Sequence, residues 1–464
     1  MAVPDISTAA RAPWREELRA TLALAWPLVL ANLAQIGLTT TDVVVLGRLG
    51  AAELAAGTLG ANLYQGPLLF ATGLVTATAP LMAAAMGARR HSLREVRRTF
   101  RQGLWSAALV SLPCWLLFWN SEAVLLWLGQ APELAAGAQT FLRALQWGVP
   151  AALAIVAMRS FVSALERPLV ALAIGLATVA INVAASVTLV FGHFGLPALG
   201  LAGCGFATSL ANWCGAIAFA LVLARSRRFR RHHLFGRWWR PDGARLAALW
   251  RLGLPIGLTI AFEITVFNAS AFLMGRFGAT AIAAHAIALQ IAATTFMVPL
   301  GIGQAATVRV GLARGARDVD AIARAGSTAF ALAGGFMTAS ALLILAIPGT
   351  LIGLFMDPAA PGAAAVQATA AGFLVCAAVF QIVDGLQVAA AGMLRGLQDT
   401  RQPMLYAALG YWGIGFTLGW ALAFATPLGG LGIWIGLATG LGVVALALTL
   451  RWVRRAQLGL LPAG

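Results

Sequence analysis

Three carboxylates stand inside long apolar stretches of the chain: Asp42, Glu263 and Asp384. The rest of the 16 acids fall in tails, loops or the ends of such stretches. A charged group at mid-bilayer costs about 2.5–3.5 kcal/mol on insertion scales, so it ordinarily faces a cavity and has a task. Glu263 lies 12 residues after Arg251, and Asp384 lies 11 residues before Arg395, both arginines marking one membrane edge. At about 1.5 Å per residue the two acids sit about 16–18 Å from that edge, at matching depth. Two carboxylates so placed can bind a small cation such as Na⁺, or share protons. Asp42 precedes Arg48 by six residues, which puts it about 9 Å from the opposite edge.

Neutral oxygens and amides accompany the acids. Asn268, Ser270 and Thr265 follow Glu263, and Gln381 and Gln387 flank Asp384 within one turn. Gln290 aligns with Asn62, and Gln35, Asn182 and Asn212 lie in apolar runs of the first half. Each of these could line a substrate cavity, and each is also an ordinary interhelical hydrogen-bonding residue. Phe262, Phe267 and Phe380 could form an apolar or cation–π wall against an organic cation, although aromatic residues at helical spacing also serve packing. His285 is a weaker candidate for a proton site. No Ser/His/Asp arrangement, HExxH, phosphate-binding glycine loop or metal-ligand spacing occurs, so neither enzyme chemistry, an ATP-driven pump nor a resident cofactor is expected.

These residues must be held by membrane helices. Of 464 residues, 60% are hydrophobic and 10% charged, more apolar surface than a water-soluble fold can hide. The apolar runs are continuous rather than alternating, which disfavours a barrel. Twelve spans fit, at 18–46, 52–82, 98–119, 133–157, 168–191, 198–224, 247–274, 280–308, 325–347, 366–393, 403–425 and 430–452. The N-terminal stretch lacks the apolar core and cleavage site of a secretory leader. The four cysteines, Cys114, Cys204, Cys214 and Cys376, fall in the spans and read as buried thiols.

The net charge is +16, and every basic residue apart from the histidines is arginine. Arginines gather before the first span, after the second and eighth, between the sixth and seventh, and at the end of the chain. The opposite side carries Arg48, Arg143 and Arg276. The positive-inside rule then makes both termini cytoplasmic and explains the charge without nucleic acid. The expected organisation is a tail over 1–17, a six-helix lobe over 18–224, a basic linker over 225–246, a second lobe over 247–455 and a tail over 456–464. Trp238 and Trp239 in the linker read as interfacial anchors.

The lobes are copies. Offset by 228 positions, Pro27 falls on Pro255 and Gly47-Arg48-Leu49-Gly50 on Gly275-Arg276-Phe277-Gly278. Gly87-Ala88-Arg89 falls on Gly315-Ala316-Arg317 at the same offset, and Pro168 pairs with Pro403. The acids are not duplicated: Glu263 falls on Gln35 and Asp42 on Ser270, which argues against a purely structural role for either. Six spans per copy imply an all-α polytopic protein with two pseudo-symmetric lobes around a central cavity, related by an axis along the membrane normal, as in transporters. Gly415/Gly419 and Gly432/Gly436/Gly440 suit close helix packing in lipid.

From Pro27 to about Arg455 the chain resembles the multidrug and toxic compound extrusion (MATE) family. The resemblance is carried by Pro27, Asn32, Gln35, Asp42, Gly47-Arg48-Leu49-Gly50 and Glu53-Leu54-Ala55-Ala56, and by the stretch from Pro80 to Arg90. It is carried as well by Glu263 in its phenylalanine-rich run and by QIVDGLQVAAAGMLRGLQDTRQP around Asp384. It implies an antiporter of a bacterial inner membrane, working as a monomer in the lipid bilayer. Such a protein exports organic, often cationic, drugs against Na⁺ or H⁺, and the likeness is nearest the bacterial branch often driven by sodium. Glu263 and Asp384 then resemble a cation site in the second lobe, and Asp42 the acid of the first. Sodium-coupled members can carry a tyrosine one turn before the span-ten acid; here Phe380 stands there, which removes a phenolic ligand. The expected mechanism is alternating access, in which uptake of the coupling cation lowers affinity for the passenger. A lipid-linked precursor flippase of related architecture would need cavity arginines for phosphate, and the arginines here sit near span edges. An intramembrane acyltransferase would need a nucleophile or histidine beside an acid. A major-facilitator antiporter carries a different duplicated loop motif.

Overall fold

A computed structural model of the chain describes residues 14–88, 92–193, 195, 197–236, 239–356 and 362–462. Among them are twelve helices long and apolar enough to cross a bilayer. They are α1 (Trp14–Leu49), α2 (Ala51–Gly87), α3 (Ser92–Trp119), α4 (Pro132–Ala164), α5 (Leu169–Phe191) and α6 (Gly200–Arg225). The second set is α7 (Gly243–Phe277), α8 (Ala279–Gly315), α9 (Val319–Ala346), α10 (Ala363–Gly396), α11 (Arg401–Ala425) and α12 (Gly430–Val453). Every expected span coincides with one of these. The helices run past several expected ends because polar turns continue beyond the apolar run. Thus α4 extends through Ala164 and takes in Arg159, which donates to Asn32 Oδ1 at 3.4 Å. Arg11, Arg89, Arg90, Arg237 and Trp238 lie outside the described residues, and Trp239 is exposed.

The helices gather into two compact units. The N-unit is Leu30–Gly257; the C-unit is Met1–Val29 together with Leu258–Gly464. The chain passes between them two residues after each of the repeated prolines, Pro27 in α1 and Pro255 in α7. Each unit therefore contains the opening turns of the other copy's first helix, held by backbone-to-backbone approach. In the C-unit a Cβ on Gly301 of α8 would lie 2.9 Å from Val29 N. In the N-unit a Cβ on Gly257 of α7 would lie 2.7 Å from Phe70 O of α2. Glu17 adds a bidentate ion pair to the C-unit contact, with Arg309 Nε at 2.9 Å from Oε1 and Nη2 at 2.5 Å from Oε2.

The repeat is visible in the backbone too. Gly50 and Gly278 close the two copies of the Gly-Arg-x-Gly turn at φ 155° and 91°, each with extended ψ, a combination open to glycine alone. The ends of α4 and α10 finish in the same left-handed turn, at Glu166 (φ 56°) and Gln398 (φ 60°). In both, the next amide reaches back to the helix, Arg167 N to Val162 O at 2.8 Å and Asp399 N to Leu394 O at 2.9 Å. The basic segment before α7 is tied to α3: Arg101 Nε donates to Leu234 O, and Arg98 Nε pairs with Asp242 Oδ2 at 2.6 Å.

In the C-unit α10 packs against α8, α9 and α12. The small-residue pattern noted in the sequence brings α11 onto α12, where a Cβ on Gly440 would lie 2.7 Å from both Gly410 O and Gly415 Cα. Between Ala408 and Phe416 the backbone of α11 is a π-helix, which shifts the register of its side chains.

Candidate functional site

Each unit holds a polar cluster around an acid of the apolar stretches. In the N-unit Asp42 is half-buried on α1, and α6 supplies its partners. Thr208 donates its hydroxyl to the carboxylate, 3.1 Å from Oδ1 and 3.2 Å from Oδ2. The Cys204 thiol donates to Oδ1 at 3.4 Å. Asn182 of α5 donates through Nδ2 to Thr208 Oγ1 at 2.9 Å, so α5, α6 and α1 are joined in one chain of donors ending on the acid. Asn182 Oδ1 and the neighbouring Ser186 Oγ have no partner among the described residues. Beside this chain an apolar crevice of 280 Å³ opens between α1 and α5, with Arg48 at its rim.

In the C-unit Asp384 of α10 is 5% exposed and its Oδ1 lacks a hydrogen-bond partner among the described residues. Glu263 of α7, in the same unit, is within electrostatic range of it. Arg395, in the last turn of α10, is also within electrostatic range of Glu263. Around Asp384 the amides are half satisfied. Gln381 accepts from Thr295 Oγ1 at 2.9 Å while its Nε2 is unpaired. Gln387 donates through Nε2 to Tyr411 Oη while its Oε1 is unpaired. A run of rings packs along one side: Phe267 against Phe380 (5.9 Å between centroids), Phe380 against Trp434 (5.7 Å) and Trp434 against His285 (5.5 Å). Both nitrogens of His285 and Nε1 of Trp434 are also without partners.

Other expected lining residues make no hydrogen bond to these acids among the described residues. Gln35, Asn268 and Gln290 are exposed on their helices and make no described side-chain contact with the acids. Phe262 is half-buried and makes no ring contact with Phe267 or Phe380. Asn212 is buried where α6 crosses Gly148 of α4. Ser270, the counterpart of Asp42, donates to its own helix at Val266 O. The four cysteines do not form one class: Cys114 and Cys204 are buried, Cys214 and Cys376 half-buried, and Cys204 touches an acid.

Three participants were not legible as such. Thr208 and Cys204 sit in a span with many small residues, and nothing local marks them as partners of a residue on α1. Tyr411 corrects the expectation that Phe380 leaves the site without a phenol, because α11 brings one in from another helix. No group of three or more His, Cys, Asp or Glu side chains meets among the described residues. The donors are carboxylate, amide and phenol oxygens, which suit hard cations rather than thiophilic metals.

The MatE family model matches residues 27–188 and 255–421 of the chain, one match on each copy of the repeat. The "Probable multidrug resistance protein NorM" of Mesorhizobium japonicum is 53% identical over 453 residues, covering 97% of each chain. The protein of the same name from Brucella suis is 49% identical over 451 residues, 97% of this chain and 95% of its own. Among solved structures, a eukaryotic MATE transporter superposes with a TM-score of 0.85 at 20% identity, over 96% of this chain and 99% of its own. At that identity the likeness speaks for the twelve-helix fold alone.

Proposed function

The chain belongs to the MatE family, whose members are membrane transporters rather than enzymes, and from that premise we propose that it exports drugs from a bacterial cell in exchange for Na⁺ or H⁺. The relatives' name supports multidrug efflux, and the twelve apolar helices support residence in the inner membrane. The arginine distribution supports cytoplasmic termini. The passengers are organic, often cationic, compounds, and the chain works as a monomer by alternating access.

The observation that carries this reading is the C-unit acid pair. Asp384 is buried, lacks a partner for Oδ1, and feels the charge of Glu263. Two like charges in a low-dielectric setting repel until a cation joins them. Uptake of Na⁺ or H⁺ cancels one negative charge of the pair and weakens its hold on a cationic passenger. For the exchange to do work, each ligand must bind the two access states with different affinity. Asp42, with its donors from α6, serves the N-unit as a second cation or passenger contact.

Efflux of a cationic dye from proteoliposomes, under sodium and proton gradients imposed separately, tests this. Glu263→Gln and Asp384→Asn should each abolish gradient-driven efflux. If both variants pump like the wild type, the acid pair is not the coupling site. An Asp42→Asn variant with normal transport would leave that residue a structural part only.

A further inference from the structure

Tyr411 enters the C-unit acid cluster on an unusual backbone. It is 1% exposed and lies within the π-helix Ala408–Phe416, which also holds Gly410, Gly413 and Gly415. π-Helical turns are rare and concentrate at functional sites. An extra residue in a turn rotates the later side chains by about 100° relative to an α-helix, so local geometry, not apolar periodicity, decides which side chains face inward. Here it faces the phenol towards Gln387, whose Nε2 donates to Tyr411 Oη, and within electrostatic range of Glu263 and Asp384.

The surrounding polar atoms point to a ligand. Asp384 Oδ1 and Gln387 Oε1 are acceptors without partners among the described residues, on side chains 5% and 3% exposed. A tyrosine present only for packing would need one hydrogen bond, and Gln387 provides it. That leaves unexplained why the same few atoms include two orphaned acceptors, each of which is costly to bury. The carboxylate of Asp384, the amide oxygen of Gln387 one turn on and the phenolic oxygen bonded to that amide, with Glu263 in electrostatic range, are oxygens of the kind that hard cations take. The residue one turn before Asp384 is Phe380, which brings no oxygen.

We propose that Tyr411 is a ligand of the coupling cation, its phenolic oxygen joining Asp384, Glu263 and Gln387 to make the C-unit competent for Na⁺. The π-helix over 408–416 is the element that sets it there. This rests on reading the acid pair as the coupling site, so the test separates the two ideas.

The full-length protein is purified, and its thermal unfolding is followed as NaCl replaces KCl at constant ionic strength. A ligand that binds the folded state alone raises the unfolding temperature in proportion to its occupancy. Wild type should show sodium-specific protection, and Asp384→Asn none. Tyr411→Phe, which keeps the ring, should need at least about tenfold more sodium for half-protection, the loss of one ligand. Phe380 lies one turn before Asp384 on the same face of α10. Adding Phe380→Tyr to the Tyr411→Phe variant should therefore return the half-point towards wild type. If Asp384→Asn abolishes protection but Tyr411→Phe keeps the wild-type half-point, Tyr411 is not a ligand and the acid pair stands. A double variant as weak as the single would assign the loss to packing and overturn the proposal. Protection that survives in both Asp384→Asn and Glu263→Gln would remove the acid site and this inference with it, and no sodium-specific protection in the wild type would overturn the inference alone.

Discussion

Thr208→Val tests whether the Asp42 cluster is a coupled unit or a set of accidental neighbours. Valine keeps the shape of threonine and removes its hydroxyl. That hydroxyl carries one proton, so its approaches of 3.1 and 3.2 Å to the two carboxylate oxygens count as one shared bond. Both are longer than an ideal O–H···O bond. Bonds to charged groups contribute about 1.5–3 kcal/mol, and side-chain bonds between membrane helices at most about 1.7. The pairwise term between Thr208 and Asp42 is therefore about 1.5 kcal/mol. The single change costs more, because Asn182 Nδ2 loses its 2.9 Å acceptor in a buried position, adding about 1–3 kcal/mol. A double-mutant cycle of Thr208→Val and Asp42→Ala, read by reversible unfolding in mixed micelles, isolates the pairwise term. A coupling below about 0.5 kcal/mol would refute the view that the α6 hydroxyl holds the α1 acid. Thr208→Ser, which restores the donor, should recover most of the lost stability.

Other consequences concern the scaffold. Glu17 is 3% exposed, so Glu17→Gln strands part of the Arg309 charge; the loss should be about 2–4 kcal/mol, short of the full penalty for a buried pair because Arg309 is partly exposed, and Arg309→Met in the same chain should recover part of it in a melting experiment. Gly440→Val puts a branched side chain 2.7 Å from the α11 backbone, and overpacking of this kind costs about 1–3 kcal/mol; if melting is unchanged, α11 and α12 are not in the contact described. Asp242 is held below the usual carboxylate range by its hydrogen bond with Arg98 and, further, by the Arg245 amide. Its stabilisation is present above the unfolded value near pH 4 and is lost as pH falls through the lower folded value. Asp242→Asn should thus lower stability by about 0.5–1 kcal/mol at pH 7 and by nothing at the acid end; an equal effect at both would contradict the assignment.

Most of the helical plan could be read from apolar run length, because a bilayer demands about 20 apolar residues per crossing whatever lies next to them. The duplication was legible because Pro27/Pro255 and the Gly-Arg-x-Gly turns carry backbone requirements that few other residues meet. Glu263 and Asp384 stood out since charge in oil is expensive, and depth along two helices put them at one level of the membrane. The hidden part depends on pairing between distant helices or on local register. Cys204 and Thr208 are small residues among small residues until α6 is laid against α1. Tyr411 reads as one more aromatic in an apolar run, and a period of 3.6 cannot announce a stretch such as Ala408–Phe416 that departs from it. Gln35, Asn268 and Gln290 are polar residues in apolar runs like Gln387, and no sequence signal separates the three exposed ones from the buried one.

Exchange of one positive ligand for another at shared carboxylates is most directly tested by competition on the purified protein. Equilibrium binding of a fluorescent organic cation such as ethidium would be measured with rising sodium and, separately, with falling pH. Sodium, acid or both should weaken binding to the wild type, and Glu263→Gln combined with Asp384→Asn should remove that sensitivity. Ethidium affinity indifferent to both ions, or equally sensitive once both acids are neutral, would contradict exchange at these residues.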